Sequence, residues 1–346
     1  MRKLILALLV SSLTIIVFAE KVADMKELTD PRNFLMDEQD MIITDQFEIQ
    51  IYSLNDFKFK TRFGKKGRGP GEFGEEPTIH LLPDSTILAF ALDKCAWFSK
   101  DGTLIKERRL EGIIRNALPF KENFVFGKRF ISPDLKSSTM TFVLMNPEFK
   151  PIKDIYKTNY DISIPQASGF KELDMMNHTL EMRVYGDKLY IADSQKGFYI
   201  ESFDTKGEHV FTIEKSYKRL ETDEKFKKDS IADFQLRHRG QYDMLKSLGV
   251  NFTFDQYFPS MFNFSVEDGK VYVITYQMKD DNHEMLILNE YGDLLKQLFL
   301  PLKSLKFYEI GGFNRYQAYI IKKGILYELI ENIEAEMWEL HKTKIE

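Results

Sequence analysis

Residues 180–213 hold four short runs of one kind: Leu180-Glu-Met-Arg-Val184, Leu189-Tyr-Ile-Ala-Asp193, Gly197-Phe-Tyr-Ile-Glu-Ser-Phe203 and His209-Val-Phe-Thr-Ile213. Each is four to seven residues rich in β-branched and aromatic side chains, which reads as a strand. The turn Asp204-Thr-Lys-Gly207 joins the last two, with glycine supplying the positive φ of a tight hairpin. The unit is a four-stranded antiparallel meander.

The same order recurs along the chain. Apolar runs like Leu189–Asp193 start at Met41, Ile87, Phe124, Val271 and Ala318. Each is followed by a second run (Ile49, Cys95, Thr139, His283, Ile325), a polar turn and a third run (Phe57, Thr103, Phe149, Asp293, Glu336). Each is preceded by one more candidate strand, at Asn33, Thr78, Ala117, Met261 and Glu309. A unit of about 40 residues written six times, with insertions of unequal length, is the mark of radial repetition. Four-stranded sheets that cannot bury both faces alone are covered when they stand around a channel. The expectation is all-β: a six-bladed β-propeller, with every blade owning four strands. A β-sandwich or two smaller β domains is the alternative. Residues 20–32 are a candidate extra strand for the C-terminal blade. The longest insertion, residues 218–248, has helix-forming composition with Tyr242, Leu245 and Leu248 on one face and Gly249 as a C-terminal cap. It reads as two short helices between blades four and five, either a lid over the channel or packing on its rim.

Composition narrows the function. The chain has 346 residues and a formal charge of −5, which offers no long-range pull on nucleic acid phosphates. Its single cysteine, Cys95, excludes an internal disulfide and any cysteine-built zinc or iron–sulfur site. Arg2 and Lys3 precede an apolar stretch that ends at Val17-Phe18-Ala19, the pattern of a secretory leader. Residues 1–19 are therefore expected to be removed, leaving one domain from Glu20 to Glu346 in the periplasm or outside the cell, without an integral membrane segment; an uncleaved membrane anchor is the alternative.

The string Arg62-Phe63-Gly64-Lys65-Lys66-Gly67-Arg68-Gly69-Pro70-Gly71-Glu72-Phe73 demands an unusual compact backbone. Its match to a dinucleotide fingerprint fails, because Glu75-Glu76-Pro77 stands where a phosphate-binding helix would begin. Its amides, with Lys65, Lys66 and Arg68, leave open an anion nest or a purely structural link between blades. The string resembles the NHL-repeat signature at Phe63, Gly64, Gly67, Gly69, Gly71, Phe73 and Pro77. Leu189–Asp193 with Phe203, Asp204 and Gly207 is similar to the NHL strand pair, while blades three, five and six keep only the strand rhythm. The resemblance, to secreted bacterial six-bladed propellers, implies a binding or interaction scaffold and no particular reaction.

No self-announcing hydrolase or metal motif is present. Candidate ligand-binding residues are those on or beside predicted innermost strands: His80, Glu181, Arg183, Asn263 and Arg315. Tyr257, Phe258 and Phe313 are candidate aromatic contacts at the same mouth. The ligand expected there is a protein, peptide or carbohydrate, and no cofactor is specified. The other reading is a metal-assisted lactonase-like hydrolase or lyase, with Asn263, Glu181 and His80 around an ion. Asp45 and Asp193 hold the same place in their repeats and read as turn caps.

Overall fold

The computed structural model describes residues 15–16, 18–91, 93–110, 117–132, 137–161, 171–176, 178, 180–304 and 319–346. They form six four-stranded antiparallel blades. From inside outwards, blade one is Pro31–Met36, Asp40–Asp45, Glu48–Ser53 and Phe59–Phe63; blade two is Thr78–Leu81, Ile87–Phe90, Lys94–Phe98 and Leu104–Arg109. Blade three is Leu118–Phe120, Asn123–Ile131, Ser137–Met145 and Pro151–Asp161; blade four is Leu180–Tyr185, Lys188–Asp193, Phe198–Phe203 and His209–Lys215. Blade five is Asn263–Glu267, Lys270–Lys279, Asn282–Asn289 and Leu294–Leu300, with Ile15–Ile16 bridging in parallel to its outer strand.

Blade six departs from the expected allocation. Tyr319–Lys322, read from the sequence as a second strand, is the innermost one described, and it approaches the inner strands of both blade five and blade one. Ile325–Asn332 and Met337–Lys344 follow, and the outermost strand is Glu20–Met25 from the other end of the chain. Among the described residues the blade has three strands of its own and a borrowed fourth, and the ring is closed by antiparallel pairing of Ala23 with Leu340 and Met25 with Trp338. The candidate strand at Glu309 lies outside the described residues.

The radial arrangement explains why the second and third strands carry such unbroken apolar runs. Asp40–Asp45, Ile87–Phe90 and Lys94–Phe98 are buried at every position, because both faces of each blade meet a neighbour. The core is accordingly divided by junction: Phe73, Phe98 and Ile42 lie between blades one and two, and Phe90, Trp97 and Phe124 between two and three. Met182, Leu189 and Phe142 fill the next junction, Phe264, Tyr190 and Ile213 the one after.

At the rim the junctions share a further device. The turn before an outer strand places a residue in the left-handed region, Gly102 (φ +90°) in blade two and Gly292 (φ +88°) in blade five, hard against the previous blade's outer strand. A Cβ on Gly292 would come within 2.7 Å of Ile213. Phe149 takes the same conformation in blade three and packs its ring 4.7 Å from Phe124. A cation on one blade then donates to a carbonyl of the next: Arg108 to Pro147 (2.8 Å), Lys153 to Gly207 (2.8 Å), Lys215 to Gly292, and Lys296 to Ile345 (2.7 Å).

Closure hangs on a short strand whose main apolar anchor is Met25, 1% exposed among Leu329, Leu340 and Phe34. Met25→Ala is expected to lower unfolding stability by about 2–5 kcal/mol, the cost of a core methionine cavity, measured by urea denaturation. A change below about 0.5 kcal/mol would show that the borrowed strand does not hold the ring.

Candidate functional site

Meandering blades put every outer-to-inner connection, and every turn between second and third strands, on one face of the ring. The inner strands begin at that face, so Thr78, Leu180, Asn263 and Tyr319 stand around its channel mouth. Two hairpins are longer than their counterparts there. The second strand of blade three runs from Asn123 to Ile131 and that of blade five from Lys270 to Lys279, against Ile87–Phe90 in blade two. Phe130 and Met278 are exposed towards the ends of these hairpins.

The insertion after blade four lies on the same face. Helix α1 (Glu224–Arg237) is capped by Asp223, whose carboxylate accepts from the Phe226 amide at 2.7 Å, and α2 (Arg239–Ser247) follows after His238. The loop preceding blade four supplies Glu172–Asp174, which pairs in parallel with Asn251–Thr253 of the insertion. Met175, Phe234, Leu245 and Val250 form a small core for this cap. Its stem is fixed to the ring: Tyr217 donates to the buried Glu284, which also accepts from Thr275 at 2.6 Å, and Phe258 stacks on Tyr276 at 4.6 Å. These contacts fix the stem of the insertion to blade five.

Four of the five candidate site residues lie on innermost strands, as expected, and two of them, Glu181 and Arg183, are in contact. Arg183 donates to Glu181 at 2.6 Å and, through Nε, to the Phe264 carbonyl of blade five at 3.1 Å, with its guanidinium 5.2 Å from the Phe264 ring. Next along blade five, the buried Asn263 accepts from the Tyr319 hydroxyl of blade six at 2.9 Å. Three inner strands are thus linked by polar contacts beside the channel. His80 stands apart on blade two, its ring edge-on to Phe90 at 5.8 Å and its Nε2 buried without a hydrogen-bond partner among the described residues. Burial lowers its pKa to about 4, and burial does the same to His283 on blade five. Arg315 and Phe313 lie outside the described residues. Tyr257 is exposed, but Phe258 is buried under the cap and is no surface contact.

Glu181, Asn263 and His80 do not converge as metal ligands would, and among the described residues no group of three His, Cys, Asp or Glu side chains could hold an ion. The anion-nest reading of the glycine-rich loop is also overturned. Its amides are taken by the chain itself: Gly67 donates to the Phe73 carbonyl (3.0 Å), Gly69 to Glu72 (2.9 Å) and Gly71 to Glu107 (2.9 Å). Two native carboxylates occupy the place of the anion, and the fully buried Phe73 makes the loop a peg between blades one and two. Asp45 and Asp193 do cap turns. The first accepts from the Thr29 and Asp30 amides, the second from the Gln195 amide and the Tyr156 hydroxyl.

Sequence reasoning missed Tyr319, Phe264 and the Tyr217–Glu284 link. Each partner lies on another blade, between 56 and 81 residues away for the pairs at the mouth, and no local pattern announces such pairings.

No protein-family model matches the chain, and no curated protein matches it. Solved structures with a similar ring include a luciferin-regenerating enzyme, at 13% identity over 95% of this chain and 95% of that one, with a TM-score of 0.41. BamB from Moraxella catarrhalis aligns at 10% identity over 94% and 97% of the two chains, TM-score 0.40, and the AfRom2 CNH domain at 10% over 94% and 98%, TM-score 0.38. Likenesses this distant speak to neither ligand nor reaction.

The two histidines with lowered pKa give the fold a pH signature. Neutral in the folded state with a pKa near 4 and free to take a proton near 6.5 when unfolded, each contributes stability that is complete above pH 6.5 and lost as pH falls towards 4. His80→Leu is expected to flatten the stability profile between pH 6.5 and 4.5 by up to about 1.4 kcal/mol per pH unit relative to the native chain. Parallel profiles for the two proteins in urea titrations at stepped pH would contradict this burial.

Proposed function

We propose that the chain is an exported, NHL-like propeller that binds a protein, peptide or carbohydrate at the channel mouth carrying the cap. One observation supports this above the rest: the additions to the minimal blade, namely the cap, the Glu172–Asp174 segment and the two long hairpins, share one face. Elaboration confined to one face of a repeat architecture marks the surface under functional demand, since the opposite turns would tolerate insertion equally well.

Within that face, Glu181, Arg183 and Asn263 are the polar groups held by a rigid inner ring. Arg183 is half-buried and fixed by three acceptors, the Glu181 carboxylate and the Phe264 and Met182 carbonyls, so its two remaining N–H groups are pre-oriented for an oxygen-bearing ligand. His80 and Arg315 complete the proposed set. Export accords with the closing strand: cleavage after Ala19 would leave Glu20–Met25 whole, with Glu20 as its first residue.

The test is to purify the chain from an exporting host, sequence its N-terminus and screen it against peptide and glycan arrays alongside Arg183→Ala and Arg183→Lys variants of matched melting temperature. A start at Glu20 is expected, with array hits weakened at least tenfold in Arg183→Ala and partly restored in Arg183→Lys. Stoichiometric calcium or zinc in the purified chain, together with lactone or ester hydrolysis, would replace this reading with the hydrolase.

A further inference from the structure

The turns on the opposite face, joining first to second and third to fourth strands, enclose a groove between blades two and three of about 440 Å³. Trp97 and Phe124, both nearly buried, form its floor with Pro147, and Lys106, Arg108 and Lys121 stand along it. We infer that this groove is a second binding site, distinct from the channel mouth, and that its occupant is an acidic peptide segment with one apolar anchor.

Alternation along the outer strand of blade two carries the charge argument. Lys106 and Arg108 are two residues apart and so share a face, while Glu107 between them turns the other way, held by Lys94 at 2.9 Å and by the Gly71 amide at 2.9 Å. The strand thereby sends its cations to the groove, while Glu107, which also borders it, has its carboxylate bound to Lys94 and the Gly71 amide. Lys106 is steadied with its ammonium 4.3 Å from the Trp97 ring centroid, and Arg108 by its bond to the Pro147 carbonyl. Glu122 stands beside Lys121 and Asp84 near Lys106, yet no ion pair with a described carboxylate engages either lysine. In a chain of net charge −5, three cations set against Glu122 and the already paired Glu107 leave a local excess of positive charge around the aromatic floor.

Shape favours a peptide over a small acid. The groove runs from Leu82 and Glu122, in turns beside the channel, to Lys106 and Arg108 on the outermost strand. That is the width of a four-stranded blade, about 14 Å, which an extended chain covers in about four residues. An apolar side chain set on Trp97 and Phe124 would bring flanking carboxylates within reach of lysines at both ends, the arrangement of a central anchor with a charged rim.

Trp97 supplies the readout, because the chain has only two tryptophans and Trp338→Phe leaves Trp97 as the sole indole. The probe is a pentapeptide of four glutamates flanking one phenylalanine. Saturable change in Trp97 emission is expected, weakening with added salt, and falling at least tenfold in affinity in a Lys106→Ala, Lys121→Asn double variant of unchanged melting temperature. Asparagine suits position 121 because the backbone there has φ +56°. If the double variant melts early, Lys121→Asn alone carries the comparison, since that exposed turn residue supports no core. No response at millimolar peptide, equal affinity in the variant, or equal binding of a peptide with lysines for glutamates would each overturn the site. Competition by glutarate at the peptide's own concentration would overturn the peptide and leave a small-carboxylate pocket. Binding at the channel mouth is read separately through Arg183→Ala, which leaves this groove intact.

Discussion

Every blade has two apolar faces and no helix layer to cover them, and that constraint governs the molecule. A sheet whose central strands are buried at each position, as in Ile87–Phe90 and Lys94–Phe98, is stable only between two others. The demand passes around the ring until the last blade must meet the first, and Glu20–Met25 completes it by adding an outer edge to Met337–Lys344. Closure also joins chain ends that are far apart in sequence, so the ring resists unravelling from its C-terminus. Ordering that strand costs conformational entropy, which burial of Met25 and the Lys21–Glu339 ion pair at 2.8 Å help to offset. The Glu339 carboxyl is held down at about 2, by Lys21 first and then by Asn332 and His341, so the pair stays charged in any ordinary medium.

The legibility of this fold in the sequence follows from the same constraint. Second and third strands were readable because both their faces are buried, which leaves an unbroken apolar run. Outer strands such as Leu104–Arg109, with five exposed positions of six, announce themselves only by their place after a Gly turn. Glu20–Met25 has neither mark: its run Glu-Lys-Val-Ala-Asp-Met mixes charges with two half-buried apolar side chains, and its identity as a strand comes from a partner more than 300 residues away. The extra strand expected for the C-terminal blade within residues 20–32 is nonetheless there, as Glu20–Met25.

At the mouth, position was legible and pairing was not. The repeat register put His80, Glu181, Arg183 and Asn263 on inner strands, and they lie there. That Arg183 would spend a donor on the Phe264 carbonyl, or Asn263 accept from Tyr319, depends on how adjacent blades rotate against each other, which no single repeat encodes. The glycine-rich loop misled for a related reason. Its amides and cations look like an anion trap until the fold brings Glu107 from the next blade to Gly71 and turns Glu72 back on Gly69. Local composition states which groups are available, and tertiary contacts state which are already taken.

That distinction sorts the cations of the whole ring. Lys153, Lys215 and Lys296 end on carbonyls of the following blade, Lys94 on Gly69 and Glu107, and Lys100 between Asp37 and Asp40. These are structural, because each satisfies an oxygen at a junction that water reaches poorly. Lys106 differs in kind. Its ammonium rests against an aromatic face, which supplies attraction without satisfying a single N–H in the directional way an oxygen does. A lysine so placed is ordered, charged and still rich in donors, and it faces a groove whose floor repels water. The two surfaces of the ring therefore differ in chemistry: one carries a cap around polar groups that are already braced against each other, while the other keeps short turns and, in the groove between blades two and three, a lysine bound to an aromatic ring.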